Sequence, residues 1–247
     1  MKTNPIAFFD SGIGGSTILK EVIKLLPNEN YIYYPDSQNL PYGNKSKEDL
    51  FKIVDNVVQK LIKYNPKIIV CACNTATAMV LNDIRAKYKD ITFVGTEPAI
   101  KVVHDNYEDK KTIILTTKGT GHSEKFKELF KQYSTSKCTL VEAPLLAQLI
   151  EEEKDTYPYL KDLLSDFNNV EVVVLGCTHF PLAKESLSKV LGQVTFVHGG
   201  PGIANHVKNL LISNNLPCNE DKFDLKILTE DDETKNKIIN ILNSTDI

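Results

Sequence analysis

Short apolar runs alternate with longer amphipathic segments from one end of the chain to the other. Runs rich in Val, Ile, Leu, Phe and Tyr at 6–10, 31–36, 67–72, 91–95, 112–117, 139–143, 170–176, 194–198 and 225–228 predict strands. Between them, apolar positions spaced three and four apart predict helices over 16–26, 46–63, 75–88, 97–106, 122–133, 145–153, 182–191 and 203–213. Strands that alternate with helices of this length imply parallel sheets flanked by helices, an α/β fold.

Two of the strand-like runs end in the same way. Lys67-Ile68-Ile69-Val70-Cys71-Ala72-Cys73 leads into Asn74-Thr75-Ala76-Thr77, and Val172-Val173-Val174-Leu175-Gly176-Cys177 leads into Thr178-His179-Phe180-Pro181. Each is a buried strand closing on a thiol, followed by small hydroxyl residues that can open a helix. A thiol at a helix N-terminus feels the positive end of the macrodipole, which favours thiolate. Two such thiols, one from each half of the chain, can meet one carbon atom from opposite sides. The repeat also suggests an internal duplication, supported by the polar turns Asp10-Ser11-Gly12 and Thr117-Lys118-Gly119-Thr120. The expected fold is therefore two similar lobes, residues 1–97 with 207–247 and residues 98–206, with the active site in the cleft between them at strand C-terminal ends.

Composition narrows the function classes. At 247 residues with 42% hydrophobic and 25% charged residues, the chain can bury a proper core. A net charge of −3 with scattered Lys and Arg points away from nucleic acid and membrane surfaces. No leader or spanning segment is read in the sequence, and an odd count of five cysteines suits free thiols in a reducing cytoplasm. Cys71, Cys73, Cys177 and His179 invite a zinc reading, but the spacings are C-x-C and C-x-H, and Cys71 sits inside an apolar run. No metal or cofactor is expected. Cys138 and Cys218 lack polar company and read as structural.

Asp10-Ser11-Gly12-Ile13-Gly14-Gly15-Ser16-Thr17 follows a strand and opens a helix, so its backbone can approach an anion. It is neither a dinucleotide fingerprint nor a Walker A loop. Asp10 can orient or deprotonate a neighbour. His179, two residues from a candidate thiol, can stabilise thiolate and relay its proton. Pro41-Tyr42-Gly43 reads as an ordinary loop, and Asp36 before it as a solvated turn carboxylate.

Taken together these segments, with Gly95-Thr96-Glu97-Pro98-Ala99, resemble the glutamate racemases of the aspartate/glutamate racemase superfamily, in order and spacing over residues 6–206. The resemblance implies a cofactor-independent enzyme that interconverts L- and D-glutamate for peptidoglycan, with Cys73 and Cys177 as the acid/base pair and Asp10 and His179 assisting. It also implies that Ser11, Tyr42, Gly43, Asn74, Thr75, Thr117, Thr120 and Thr178 hold the amino-acid substrate, and that Asp36 and Glu151 are acids at the cleft. The chain departs from the pattern at His198-Gly199-Gly200-Pro201, where many members have Asp-Ser. Aspartate or a broader range of amino acids as substrate, a one-thiol reaction such as decarboxylation, and a non-catalytic ligand-binding protein on the same scaffold are the alternatives. Homodimerisation is left open.

Overall fold

The computed structural model describes residues 4–216 and 223–245, so the reading of Cys218 lies outside the described residues. In chain order the strands are β1 (Ile6–Asp10), β2 (Asn30–Pro35), β3 (Ile68–Cys71), β4 (Phe93–Gly95), β5 (Thr112–Thr116), β6 (Cys138–Glu142), β7 (Val172–Leu175), β8 (Thr195–His198) and β9 (Asp224–Ile227). The helices are α1 (Ser16–Leu25), α2 (Lys47–Ile62), α3 (Asn74–Met79), α4 (Leu81–Lys87), α5 (Ile100–Asn106), α6 (Lys118–His122), α7 (Glu124–Tyr133), α8 (Leu146–Glu151), α9 (Tyr157–Leu163), α10 (Lys184–Leu191), α11 (Gly200–Ser213) and α12 (Asp232–Asn243).

The strands form two sheets, in the orders β4-β3-β1-β2-β9 and β6-β5-β7-β8. Every pairing is parallel. Side chains of a strand alternate between faces, and both faces of each sheet are covered. In β1, Ile6 and Phe8 join the core under α1, α11 and α12, built with Leu19, Val22, Val207 and Ile238. Ala7 and Phe9 join the core under α2 and α4, built with Leu50, Val54, Leu61 and Ile84. The second sheet repeats this, with Leu146, Leu160 and Leu187 of α8, α9 and α10 on one face. Ile100, Val103 and Phe126 of α5 and α7 cover the other. This is the two-lobed α/β architecture expected from the alternation of runs. The chain leaves the first sheet after β4 and returns at α11, whose Ile203, Ala204, Val207 and Leu211 all pack in the first sheet's core.

Five helical segments differ from the sequence expectation. Residues 75–88 form α3 and α4, separated at Val80 (φ −133°). Residues 118–133 also form two helices, because the side chains of Thr117 and Ser123 each accept a backbone N–H and start a new helix. A 3-10 turn, Phe180–Ala183 with Pro181 near its start, precedes α10, so the second thiol does not open an α-helix as the first does. α9 and α12 were not foreseen. Yet α12 carries a readable start, since Asp231 accepts from the N–H groups of Glu233 and Thr234 and buried Thr234, Ile238 and Ile241 follow at helical spacing.

The strand orders place the functional cleft. In the first sheet the chain runs from β1 to β2 on one side and places β3 on the other. The second sheet does the same with β5, β6 and β7. Crevices open at the carboxyl ends of strands where such an order reverses. Asp10 and Cys73 border the first crevice, and Thr117 and Cys177 border the second.

Candidate active site

Cys73 and Cys177 line one cleft between the two sheets, together with Ser11, Tyr42, Gly43, Asn74, Thr75, Thr117, Thr178 and His179. Pro41 also lines it, and Leu40, Asn44, Lys118, Pro144 and Ala147, which were not foreseen, complete the wall. The cleft holds about 470 Å³ in all, but only about 20 Å³ of it is wide enough for the centre of a water molecule. That is room for about one water. The lobes touch through a hydrogen bond between the hydroxyls of Thr75 and Thr117 (2.9 Å) and through Thr17 Oγ1 donating to Thr178 O (3.0 Å).

Each thiol has its own company. Cys73 stands at the N-cap of α3 in extended backbone, 5% exposed. Burial pushes its pKa well up, and the Asp10 carboxylate and Cys71 push it further. Desolvation thus outweighs the helix-end effect argued from sequence, and Cys73 rests as a thiol. Cys71 is fully buried in the core under α2 and α4, where burial pushes it up to about 12, so it is an inert thiol and, unlike Cys73, does not line the cleft. Among the described residues, no group of three or more His, Cys, Asp and Glu side chains is gathered as metal ligands would be.

Cys177 lies 3.9 Å from His179 Nδ1, and His179 Nε2 lies 2.7 Å from Glu151 Oε2. His179 is 1% exposed. Burial alone would lower its pKa, but the hydrogen bonds to Cys177 and Glu151 and the charge of Asp10 together raise it well above the ordinary imidazole value. An imidazolium with both N–H groups engaged fits these distances. With Nε2 donating to Glu151, the Gly14 N–H 3.3 Å away is a contact and not a donor to that nitrogen. The result is a buried line of carboxylate, imidazolium and sulfur.

The glycine loop acts differently from the sequence expectation. Its backbone N–H groups do meet anions, but these are the protein's own: Gly15 N–H donates to Asp10 Oδ2 (2.7 Å) and Ile13 N–H to Glu151 Oε2 (3.1 Å). The glycines are needed because Glu151 and His179 pack against them; a Cβ on Gly12 would lie 2.5 Å from the Glu151 oxygens, and one on Gly14 2.3 Å from His179 Nδ1. Tyr33 steadies the loop by donating to Gly12 O (2.7 Å). Replacing Tyr33 with Phe leaves that buried carbonyl without its donor and is expected to lower unfolding free energy by about 1–3 kcal/mol. Urea unfolding measures it, and an unchanged midpoint would mean the loop does not depend on this bond.

Asp10 is fully buried, and burial raises its pKa against the opposing charge of His179. Thr178 Oγ1 donates to its Oδ2 (3.3 Å), while Oδ1 has no hydrogen-bond partner. Asp10 does not itself line the cleft, and three other expected site residues also stand back from the wall. Asp36 is 4% exposed, so it is not a solvated turn acid; it accepts from the Tyr42 hydroxyl (2.7 Å) and from Asn39 Nδ2 (3.0 Å) and fixes Tyr42 from behind. Thr120 is buried against Thr117 and Thr75, with its N–H donating to Thr117 Oγ1 (3.2 Å). Glu151 reaches the cleft only through His179. Cys138 is half-buried beside Thr135, far along the chain from the thiols of the cleft.

Residues 18–207 match the Asp/Glu/Hydantoin racemase family. The chain is 40% identical to a glutamate racemase of Clostridium botulinum over 230 residues, covering 90% of this chain and 89% of that protein. Among solved structures it is similar to Escherichia coli glutamate racemase in complex with L-glutamate and the activator UDP-MurNAc-ala, with TM-score 0.82, 28% identity and coverage of 97% and 94%. It is also similar to glutamate racemase of Francisella tularensis in complex with D-glutamate, with TM-score 0.80, 26% identity and coverage of 99% and 95%.

Proposed function

This chain belongs to the Asp/Glu/Hydantoin racemase family, and from that premise we propose that it interconverts L- and D-glutamate with two thiols and no cofactor, supplying D-glutamate for peptidoglycan. The observation that carries this reading is the convergence of Cys73 and Cys177 on one cleft from two strand ends, with the charge of Asp10 bearing on Cys73 and His179 standing beside Cys177. The α-proton of an amino acid is very weakly acidic, so its removal needs a desolvated base and stabilisation of charge spreading onto the carboxylate. In one direction Cys177 as thiolate takes the proton while the Cys73 thiol delivers one to the opposite face. In the other direction they exchange roles.

The two sides differ in their helpers. On the Cys177 side, His179 carries the relayed proton and Glu151 stabilises its charge. On the Cys73 side, the carboxylate of Asp10, whose charge bears on Cys73, can take the thiol's proton when Cys73 must act as base. Ser11, Asn74, Thr75, Thr117 and Thr178 offer hydroxyl and amide groups to the substrate's carboxylates and amine, with Tyr42 and Gly43 closing the wall. Thr120 and Asp36 act through Thr117 and Tyr42. The relatives bound to L- and D-glutamate, one of them with the activator UDP-MurNAc-ala, support glutamate as substrate.

The test is circular dichroism of L- and D-glutamate and of aspartate incubated with purified protein in deuterium oxide. Product formed early should carry deuterium at the α-carbon while residual substrate stays protonated, in both directions. Substantial return of the original proton, read by mass spectrometry at low conversion, would leave a single base and sink the two-thiol scheme. No turnover of any of these amino acids would favour a binding protein instead.

A further inference from the structure

Glu151 is the last residue of α8, and the way that helix ends is unusual. Lys154 N–H donates to Leu149 O (2.8 Å) and Glu153 N–H to Ile150 O (3.0 Å), the paired bonds of a Schellman turn. Its left-handed position, φ 52°, is filled by Glu153 where glycine would be favoured. A cation from elsewhere in the fold closes this end. Lys237 of α12 places Nζ 3.2 Å from Glu151 O and 3.3 Å from Glu153 Oε2, and it pairs with Glu233 of its own helix at 2.8 Å. The Lys237 side chain is only 16% exposed.

α12 is itself held firmly. Ile238 and Ile241 are buried in the first lobe's core. Lys20 of α1, also buried, donates to Ile241 O (3.1 Å), to Ser244 Oγ (2.8 Å) and to Ser244 O at the helix's end. α1 in turn begins in the glycine loop that contacts the Glu151 carboxylate. A closed circuit results, from the loop through α1, Lys20, α12 and Lys237 to the end of α8, and back to the loop through Glu151.

We propose that Lys237 is a positioning residue: from the C-terminal helix it grips the end of α8 across the lobe boundary, and so keeps the Glu151 carboxylate on His179 and the Cys177 side in register. A lysine suits this task because one ammonium can meet the exposed carbonyl and the negative end of α8 while neutralising Glu153. The catalytic consequence rests on the racemase reading above; the hold on Glu151 does not.

The experiment compares Lys237→Met, Lys237→Arg and Glu233→Gln. Lys237→Met should lower kcat for glutamate roughly 10- to 100-fold, as small displacements of a reacting group do, with KM near the parent's. Lys237→Arg should restore most of it, and Glu233→Gln should stay near the parent. A second readout is the titration of His179 in histidine-labelled protein, its resonance assigned with His179→Asn. Facing His179 are Glu151 from α8, Asp10 from β1 and Cys177 on its own segment. Its charged form should persist to higher pH in the parent than in Lys237→Met, where Glu151 is released. If Lys237→Met does not fold, Glu153→Gln loosens the same grip and should shift the titration in the same direction by less.

A parent-like kcat and a parent-like His179 titration in the lysine variant, or in Glu153→Gln if that one must be used, would reduce Lys237 to scaffold. A loss of kcat that arginine does not restore, with the titration unmoved, would also overturn the proposal. If the parent fails to racemise glutamate, the racemase reading falls, and the His179 titration still decides whether Lys237 holds Glu151.

Discussion

Exchange of Cys73 or Cys177 for serine is expected to reduce racemisation of glutamate by at least ~10²-fold, the low end for losing a general acid or base, without unfolding the protein. Serine fills nearly the same volume, and both thiols are buried, 5% and 7% exposed, so the fold should tolerate it. The hydroxyl is far too weak an acid to form the needed anion. Because L- and D-glutamate have equal free energy, kcat/KM is locked to the same value in both directions, and each variant must lose both. The half-reaction is a sharper discriminator. A variant with one thiol should still exchange solvent deuterium into the single enantiomer whose α-proton faces that thiol, and the two variants should label opposite enantiomers. Near-parent turnover in either variant would make that cysteine structural. Labelling of the same enantiomer by both would place the thiols on one face.

Gly14→Ala is expected to be nearly as damaging, although alanine is the smallest possible change. The new Cβ would lie 2.3 Å from His179 Nδ1 and 2.6 Å from Cγ and Cε1 of the same ring. That ring cannot swing aside cheaply, since it is buried and tied to Glu151 at 2.7 Å. Displacing it breaks the line to Cys177, for which a loss of roughly 10²-fold in kcat is expected, with about 1–3 kcal/mol of stability from overpacking. Gly202→Ala serves as the control, because a Cβ there meets nothing within 4 Å, and it should leave activity unchanged. Parent-like kcat in Gly14→Ala would show that His179 takes no part in turnover.

Much of this site was legible in the chain because its chemistry sits at strand ends. Asp10, Cys73, Thr117 and Cys177 each close an apolar run or follow it by one or two residues, so recognising the runs located them. All nine strands among the described residues fall within a few residues of the apolar runs that predict them. Misplaced residues were those whose role depends on a contact that only the folded chain makes. Asp36 looked like a solvated turn acid because nothing nearby announces that Tyr42 folds back over it. The glycine loop looked open to a ligand because nothing in the sequence shows that Glu151, 138 positions away from Ile13, takes the Ile13 N–H.

Local pattern alone determined the alternation of strand and helix, the two parallel sheets and the pairing of two thiols in equivalent settings, since periodicity and strand endings are properties of adjacent residues. Tertiary structure decided everything that depends on burial and on approach across the lobes. It made Cys71 inert and Cys73 a resting thiol, because desolvation is set by the whole surrounding core and outweighs the helix end beside it. It pushed the pKa of His179 up, because Glu151 of α8 meets the ring beside Cys177 where water is excluded. It also brought α12, polar along most of its length and unremarked in sequence, against the end of α8, because the contact of Lys237 with Glu151 exists only once both lobes have folded and met.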